Sequence, residues 1–193
     1  VVRTPRWCYD VVSEMYPWHN RVHMVAEGQG ALPKYYKAPY FLCEYAHAMG
    51  MGAGDLEPDV QDFYRGDNML GGCIWEFCDH AAYHANGPVH YTYGGDHGEN
   101  KHDSNFCTDG LFFPDRTPHA GAYQMKNAYR PVRAMAVDEN RYLFQSMLRF
   151  ATLQIQVRWE LLSDGIPVVS GQADLTLNPL EMRELTFDFE LTQ

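Results

Sequence analysis

Three short apolar runs in the first half of the chain, separated by sequence with helical spacing, most constrain the fold. The runs cover residues 10–13, 40–43 and 72–77. An amphipathic helix is predicted between the second and third runs from the spacing of Leu56, Val60, Phe63 and Tyr64. Strand, helix and strand at this spacing predict parallel βα units, because two parallel strands need a crossover between them.

A side chain capable of chemistry stands at or just beyond the end of each run. Tyr16 comes shortly after the first run, Glu44 directly follows the second, and Trp75 and Glu76 lie near the end of the third. In (β/α)8 barrels the functional groups lie where the strands end. We therefore predict an α/β fold in which residues 1–128 form the C-terminal part of a TIM barrel. They form only a part of it because three or four strands cannot close an eight-stranded barrel.

Residues 129–193 follow a different pattern, in which apolar and polar residues alternate as they do in antiparallel strands. The alternation is clearest from Leu153 to Leu161, and Ile166–Leu177 is predicted to return as a second strand. Ser163-Asp164-Gly165 between them predicts a hairpin turn. The pattern indicates the start of an immunoglobulin-like β-sandwich domain over residues 129–193.

Charge and hydropathy argue against two classes of partner. The net charge of −10 arises from 25 acidic and 15 basic residues without Lys/Arg clusters, which disfavours binding to nucleic acid and to anionic membrane surfaces. No apolar run has the length that a membrane span requires. The opening residues contain neither Met nor a signal peptide, so we expect an excised piece of a longer protein. We expect a cytoplasmic location, with the periplasm left open.

The five cysteines are odd in number and scattered, which does not describe a disulfide framework. We predict free thiols, with Cys43, Cys73 and Cys78 buried as small hydrophobic side chains. A zinc site is not expected, since no paired C-x-x-C knuckle occurs.

Glu44 is the strongest candidate for chemistry that the residues themselves provide. An ionised carboxylate at the end of a strand, flanked by Tyr45 and His47, could attack the anomeric carbon of a sugar. Aromatic residues and polar side chains crowd the following segment, and sugars stack on aromatic rings while their hydroxyls bind polar groups. The alternatives are an exposed or ion-paired Glu44 and an ordinary aromatic core. A calcium or zinc site is a further alternative, built from Asp96, His97, Asp103 and Asp109.

Residues 41–50, FLCEYAHAMG, closely resemble the nucleophile signature of the large bacterial β-galactosidases of glycoside hydrolase family 2. Further blocks follow in the family's order and approximate spacing: GGCIW at 71–75, YGGD at 93–96, FC at 106–107, DGL at 109–111 and DRTPH at 115–119. Several blocks in order are far more specific than any one alone. The resemblance spans roughly residues 8–130. After residue 130 the similarity to the family depends only on the pattern of strands.

This resemblance implies roles for four side chains around the sugar. Glu44 falls where the family has its catalytic nucleophile, and Tyr16 resembles the tyrosine that hydrogen-bonds to that nucleophile. His47 matches a residue that contacts galactosyl hydroxyls. Trp75 matches an aromatic platform beneath the sugar.

The resemblance also implies metal ions. The carbonyl of Phe106 and the side chain of Asp109 match sodium ligands that position the sugar's 6-hydroxyl, so Asp109 is predicted to take part in substrate binding as well. The family commonly has Asn at position 109, Asn where Met51 stands and Asp where Glu76 stands, which leaves ion affinity and subsite details open. The acid/base Glu, the magnesium ligands and further sugar-binding residues of the family lie upstream of Val1.

Together these features predict a retaining β-galactosidase that hydrolyses terminal β-D-galactosyl residues, as in lactose, through a covalent galactosyl-enzyme. This chain would supply the nucleophile and not the acid/base, and would be inactive by itself. We expect the full-length protein to be a homo-oligomer. The alternatives are another family 2 glycosidase, such as a β-glucuronidase or β-mannosidase, and a non-catalytic carbohydrate-binding module in the sandwich half.

Overall fold

The structure, a computed structural model, describes residues 8–29, 37–86 and 90–189. Contacts divide the chain into two units, Val1–Tyr129 and Arg130–Gln193, each with its own hydrophobic cluster. The predicted assignment of domains to residues 1–128 and 129–193 stays a prediction. The first seven residues, on which the expectation of an excised piece rests, lie outside the described part.

The first unit is built on a three-stranded parallel sheet. In chain order it contains β1 (Val12–Met15), α1 (His19–Ala26), β2 (Tyr40–Tyr45), α2 (Leu56–Arg65) and β3 (Met69–Ile74). The strand order is β1-β2-β3, and both pairs are parallel. The predicted parallel βα units are therefore confirmed.

The bounds of all three predicted strands shift, and β1 lies two residues further along the chain than the predicted run at 10–13. β3 begins earlier than predicted and ends before Trp75, because the Trp75 N–H turns to the Tyr45 carbonyl at 3.0 Å. Glu44 does not follow β2, as predicted, but lies inside it as the second-to-last residue. The reason is that pairing with both neighbours continues to the strand's end, where Glu44 is opposite Met15 and Tyr45 is opposite Ile74.

The core of this unit lies between the sheet and the helices. Leu56, Val60 and Phe63 of α2 are buried as their spacing predicts, whereas Tyr64 at the margin of the stripe is 38% exposed. Tyr40 and Leu42 of β2 are fully buried. This packing fixes the sheet, and with it the ends of the strands.

A long irregular segment follows the sheet. It contains a short antiparallel pair, β4 (Ala82–Tyr83) with β5 (Tyr91–Thr92), and ends in α3 (Ala120–Ala128). Within it, residues 109–112 lie beside residues 76–79 through backbone hydrogen bonds such as Leu111 N–H to the Glu76 carbonyl at 2.8 Å.

The second unit is antiparallel. Its strands are β6 (Val132–Ala136), β7 (Arg141–Ser146), β8 (Leu153–Ser163), β9 (Ile166–Leu177) and β10 (Met182–Thr186), forming a β10-β7-β6 sheet and a β8-β9 hairpin. Asp164 and Gly165 both have positive φ, 49° and 81°, so the predicted hairpin turn is confirmed. Trp159 of β8 stacks on Phe187 with ring centroids 5.1 Å apart. The immunoglobulin-like type of this unit stays a prediction.

The five cysteines are unpaired, and Cys78 is buried. Cys43 is half-buried, and Cys73 is exposed, contrary to prediction. Cys73 lies on β3, the last strand of the three-stranded sheet, where its side chain is left uncovered. Across the described ranges, no helix combines the length and apolar character needed to cross a lipid bilayer.

A partly buried ion pair joins the first strand to the helix that follows it. The Arg21 guanidinium donates two hydrogen bonds of 2.7 Å to the Glu14 carboxylate, and the Tyr40 hydroxyl donates a third. Burial raises the pKa of Glu14, but these hydrogen bonds outweigh it, so the pKa lies below its ordinary value of 4.5. The ionised carboxylate therefore stabilises the fold fully at pH values above 4.5. This stabilisation is lost as the pH falls through the lowered pKa of Glu14.

We expect Glu14→Gln to lower the free energy of opening measured by hydrogen exchange at the β1 and β2 amides by about 1–2 kcal/mol at pH 7. This is the usual contribution of charged hydrogen bonds after solvent screening. Hydrogen exchange of the intact protein and the variant, compared at each pH, measures this difference. The difference should vanish at a pH below the lowered pKa, where Glu14 is itself protonated. A difference that is equal at pH 7 and at low pH would show that the charge has no such role.

Candidate active site

Tyr16 and Glu44 meet at the carboxyl end of the sheet. Tyr16 comes directly after β1 with a positive φ of 47°, and its N–H donates to the Glu44 carbonyl at 3.0 Å. Burial, followed by hydrogen bonding to the Glu44 carboxylate and by its charge, raises the pKa of the Tyr16 phenol far above its ordinary value. The phenol therefore keeps its proton and serves as a permanent donor.

Backbone hydrogen bonds hold the segments after β2 and β3 together. The Trp75 N–H donates to the Tyr45 carbonyl at 3.0 Å, and the Ala48 N–H donates to the Trp75 carbonyl at 2.7 Å. Ala46 between them has a positive φ of 50°, which turns the chain out of the strand. These contacts carry His47 and the Trp75 indole to the same edge of the sheet as Glu44.

The His47 ring lies between two aromatic side chains. Its centroid is 6.0 Å from that of Tyr16 and 5.8 Å from that of Phe106, on which it stacks. Phe106 comes from the long segment after the sheet and is 61% exposed. The predicted substrate-binding His47 thus lies beside the predicted catalytic Tyr16.

Asp109 links the remaining predicted residues. Its Oδ2 accepts a hydrogen bond from the Trp75 indole N–H at 3.2 Å and lies 3.5 Å from Nε2 of His47. The residue is only 3% exposed, and its Oδ1 is buried with no hydrogen-bond partner among the described residues. The structure therefore brings all six predicted site residues together: Tyr16, Glu44, His47, Trp75, Phe106 and Asp109.

Glu76 is an additional carboxyl that sequence reasoning did not assign. Burial, followed by a hydrogen bond to Asp109, raises the pKa of Glu76. Nε2 of His80 lies 3.3 Å from its Oε2. The neighbouring charge of Asp109 therefore disfavours ionisation of Glu76. The available signal was the position of Glu76 directly after Trp75 at the end of a strand.

The surroundings of Asp109 fit a hard monovalent cation. A buried carboxylate oxygen without a donor is costly, and oxygen atoms are the ligands that such cations prefer. In the described ranges, no three or more His, Cys, Asp or Glu side chains are grouped so as to hold a metal ion. The calcium or zinc alternative at Asp96, His97, Asp103 and Asp109 therefore lacks support.

Comparisons with known proteins identify the family of this chain. Residues 3–134 match the family model described as "Glycosyl hydrolases family 2, TIM barrel domain". The chain is 42% identical over 145 residues to a beta-galactosidase of Actinobacillus pleuropneumoniae, covering 74% of this chain and 14% of that protein.

Two further relatives give the same result. A beta-galactosidase of Staphylococcus xylosus is 38% identical over 143 residues, covering 73% of this chain and 14% of the relative. A beta-galactosidase of Photobacterium profundum is 30% identical over 205 residues, covering 94% of this chain and 19% of the relative. The chain thus spans less than a fifth of the length of these relatives. It belongs to glycosyl hydrolase family 2, and its first unit is part of the family's TIM barrel domain.

Proposed function

We propose that the intact protein is a retaining β-galactosidase and that this chain supplies its nucleophile, Glu44. The observation that carries the proposal is that Tyr16 and Glu44 lie together where two parallel strands end, with the Tyr16 N–H donating to the Glu44 carbonyl at 3.0 Å and the Glu44 carboxylate raising the pKa of the phenol. The name beta-galactosidase, which the relatives share, supports the choice of sugar.

In the first step, a Glu44 carboxylate oxygen attacks C1 of a β-galactoside, and the bond from C1 to the leaving oxygen breaks. An acid/base residue outside this chain protonates that oxygen. In the second step the same residue removes a proton from water, the water oxygen bonds to C1, and the carboxylate of Glu44 departs. Two inversions at C1 return the β configuration.

The neighbouring side chains bind and orient the sugar. The Tyr16 phenol stabilises the Glu44 carboxylate as it regains its charge in the second step. The Trp75 ring, 37% exposed, provides an apolar face for stacking, and Asp109 orients it through the indole N–H. His47 offers a ring nitrogen to the sugar hydroxyls from its place beside Tyr16.

Substrate preference tests the proposal directly. Nitrophenyl glycosides presented to the intact protein should show kcat/KM for the β-D-galactoside at least about 100-fold above that for the β-glucuronide and the β-mannoside, since buried polar groups discriminate strongly among hydroxyl patterns. The retained anomer, followed by NMR early in the reaction, checks the stereochemistry. A preference for either other sugar, or inversion at C1, would contradict the proposal.

We expect the 193-residue chain alone to show no measurable galactoside hydrolysis, because the proposed acid/base is not among its residues. The assay compares equal molar amounts of the isolated chain and of the intact protein on nitrophenyl β-D-galactoside. Turnover by the isolated chain within about 100-fold of the intact protein would place the acid/base within this chain, since general acid–base catalysis contributes about 10²–10⁴-fold.

We propose that the Phe106 carbonyl and the Asp109 carboxylate hold a sodium ion, which when bound would position the 6-hydroxyl of the sugar. Asp109→Ala should therefore abolish the sodium dependence of ligand binding and raise the Kd for galactose by about 10–100-fold. Calorimetric titration with galactose, in sodium and in a large organic cation, measures both effects. An unchanged sodium dependence in the variant would remove Asp109 from the ion site.

A further inference from the structure

Asp79 is a buried carboxylate to which the proposed mechanism assigns no role. Its Oδ1 accepts the Gly110 N–H at 2.8 Å, and its Oδ2 lies 3.0 Å from Nε2 of His119. Its own N–H donates to the Phe112 carbonyl at 2.9 Å. The residue is 6% exposed, and a buried carboxyl group is costly unless its oxygens have partners, as both oxygens do here.

The contact with Gly110 is unusually close. A Cβ at position 110 would lie 2.2 Å from the Asp79 nitrogen and 2.2 Å from the Cys78 carbonyl carbon, so only glycine allows this approach. Gly110 directly follows Asp109, and the Glu76 N–H donates to the Asp109 carbonyl at 2.9 Å. The peptide that carries the Asp109 side chain is therefore held on both sides.

His119 also contacts this segment. Its ring stacks on Phe113 with centroids 3.7 Å apart, and its backbone N–H donates to the Leu111 carbonyl at 2.9 Å. His119 thus fixes Asp79 from one side while Gly110 fixes it from the other. Asp79 transmits that restraint to Asp109, which orients Trp75 and contacts His47.

We propose that Asp79 is a positioning residue for galactoside binding, which acts through Gly110 and Asp109 on the Trp75 and His47 side chains. The proposal rests on the proposed function. It assigns Asp79 no contact with the sugar. The proposal predicts that substitution of the Asp79 carboxylate changes KM more than kcat in the molecules that remain folded.

The test uses Asp79→Asn and Asp79→Ala in the intact protein. Asn keeps one acceptor for Gly110 but loses the charge that partners His119, whereas Ala loses both contacts. Asp115→Asn is the matched control, because Asp115 lies in the same segment and is exposed, and its carboxylate accepts hydrogen bonds from the N–H and hydroxyl of Thr117. Stoichiometric inactivation by a 2-fluorogalactoside counts the functional sites in each preparation.

Per functional site, we expect KM for nitrophenyl β-D-galactoside to rise about 10-fold in Asp79→Asn and more in Asp79→Ala, with kcat changed less than KM, as for groups that orient a binding residue. Asp115→Asn should match the parent. A variant with fewer functional sites but the parent's KM at each would show a merely structural role and overturn the proposal.

Hydrogen exchange separates this proposal from the proposed function. In Asp79→Asn, amide exchange in residues 109–112 should accelerate while that of β2 stays at the parent's rate, whether or not the protein hydrolyses galactosides. If the parent has no galactosidase activity, the proposed function fails, and unchanged exchange at residues 109–112 independently overturns the role of Asp79. If Asp79→Ala does not fold, Asp79→Asn alone decides.

Discussion

Glu44→Gln in the intact protein will lower turnover of nitrophenyl β-D-galactoside by at least about 10⁴-fold, because the amide cannot form the bond to C1. The side chain keeps its shape and can still accept the hydrogen bond from Tyr16. Binding of galactose, measured by calorimetry, should therefore stay within about 10-fold of the parent. The change isolates the chemical role of the carboxylate from its contribution to the fold.

Glu27→Gln is the control for this experiment. Glu27 is exposed just after α1, and its ion pair with Arg65 at 3.5 Å is of the kind that contributes little. Its turnover should equal the parent's. Glu44→Gln turnover within about 10-fold of the parent would show that another group is the nucleophile.

Tyr16→Phe should lower kcat by about 10²–10³-fold, the usual cost of removing one hydrogen-bond donor from a site where charge develops. The raised pKa of Tyr16 keeps its phenol protonated, so the hydroxyl can donate to Glu44 throughout the working pH range. The donor matters most when Glu44 regains its charge as the sugar leaves. The second step should slow more than the first.

Rapid-mixing kinetics detects this change as a burst of nitrophenol followed by slow steady turnover. Tyr123→Phe is the matched control, because Tyr123 on α3 is 64% exposed and lies outside the proposed site. A Tyr16→Phe variant with the parent's kcat and no burst would show that the hydrogen bond to Glu44 has no part in turnover.

The parts of the fold that follow local periodicity could be predicted from the sequence. The apolar face of α2 and the Asp164-Gly165 turn depend on residues close in the chain, and both were placed correctly. The bounds of the strands were less certain. Glu44 falls inside β2 because strand pairing is set by the neighbouring strands, which local sequence does not reveal.

The side-chain contacts within the site could not be derived from any local pattern. Trp75 and Asp109 are 34 residues apart, and the segment between them has little regular structure. The resemblance to a family selected both residues, but it gave no sign that one orients the other. The effect of Asp109 on the pKa of Glu76 was missed for the same reason.

Asp79 shows how far such contacts extend beyond recognisable motifs. It was one of several acidic residues in the aromatic segment, with nothing in its spacing to separate it from Asp96 or Asp103. Its partner Gly110 is 31 residues away, and the need for glycine there arises only from the close approach of two backbones. Packing of this kind depends on the folded chain.

The most direct test of a covalent role for Glu44 is to inactivate the intact protein with a 2-fluoro-β-D-galactoside and map the modified peptide by mass spectrometry. The fluorine slows the second step, so the galactosyl-enzyme accumulates. We expect one sugar per active site, attached through an ester to Glu44 in the peptide that contains residues 41–50. A sugar on any other residue, or full inactivation of Glu44→Gln by the same reagent, would contradict the account.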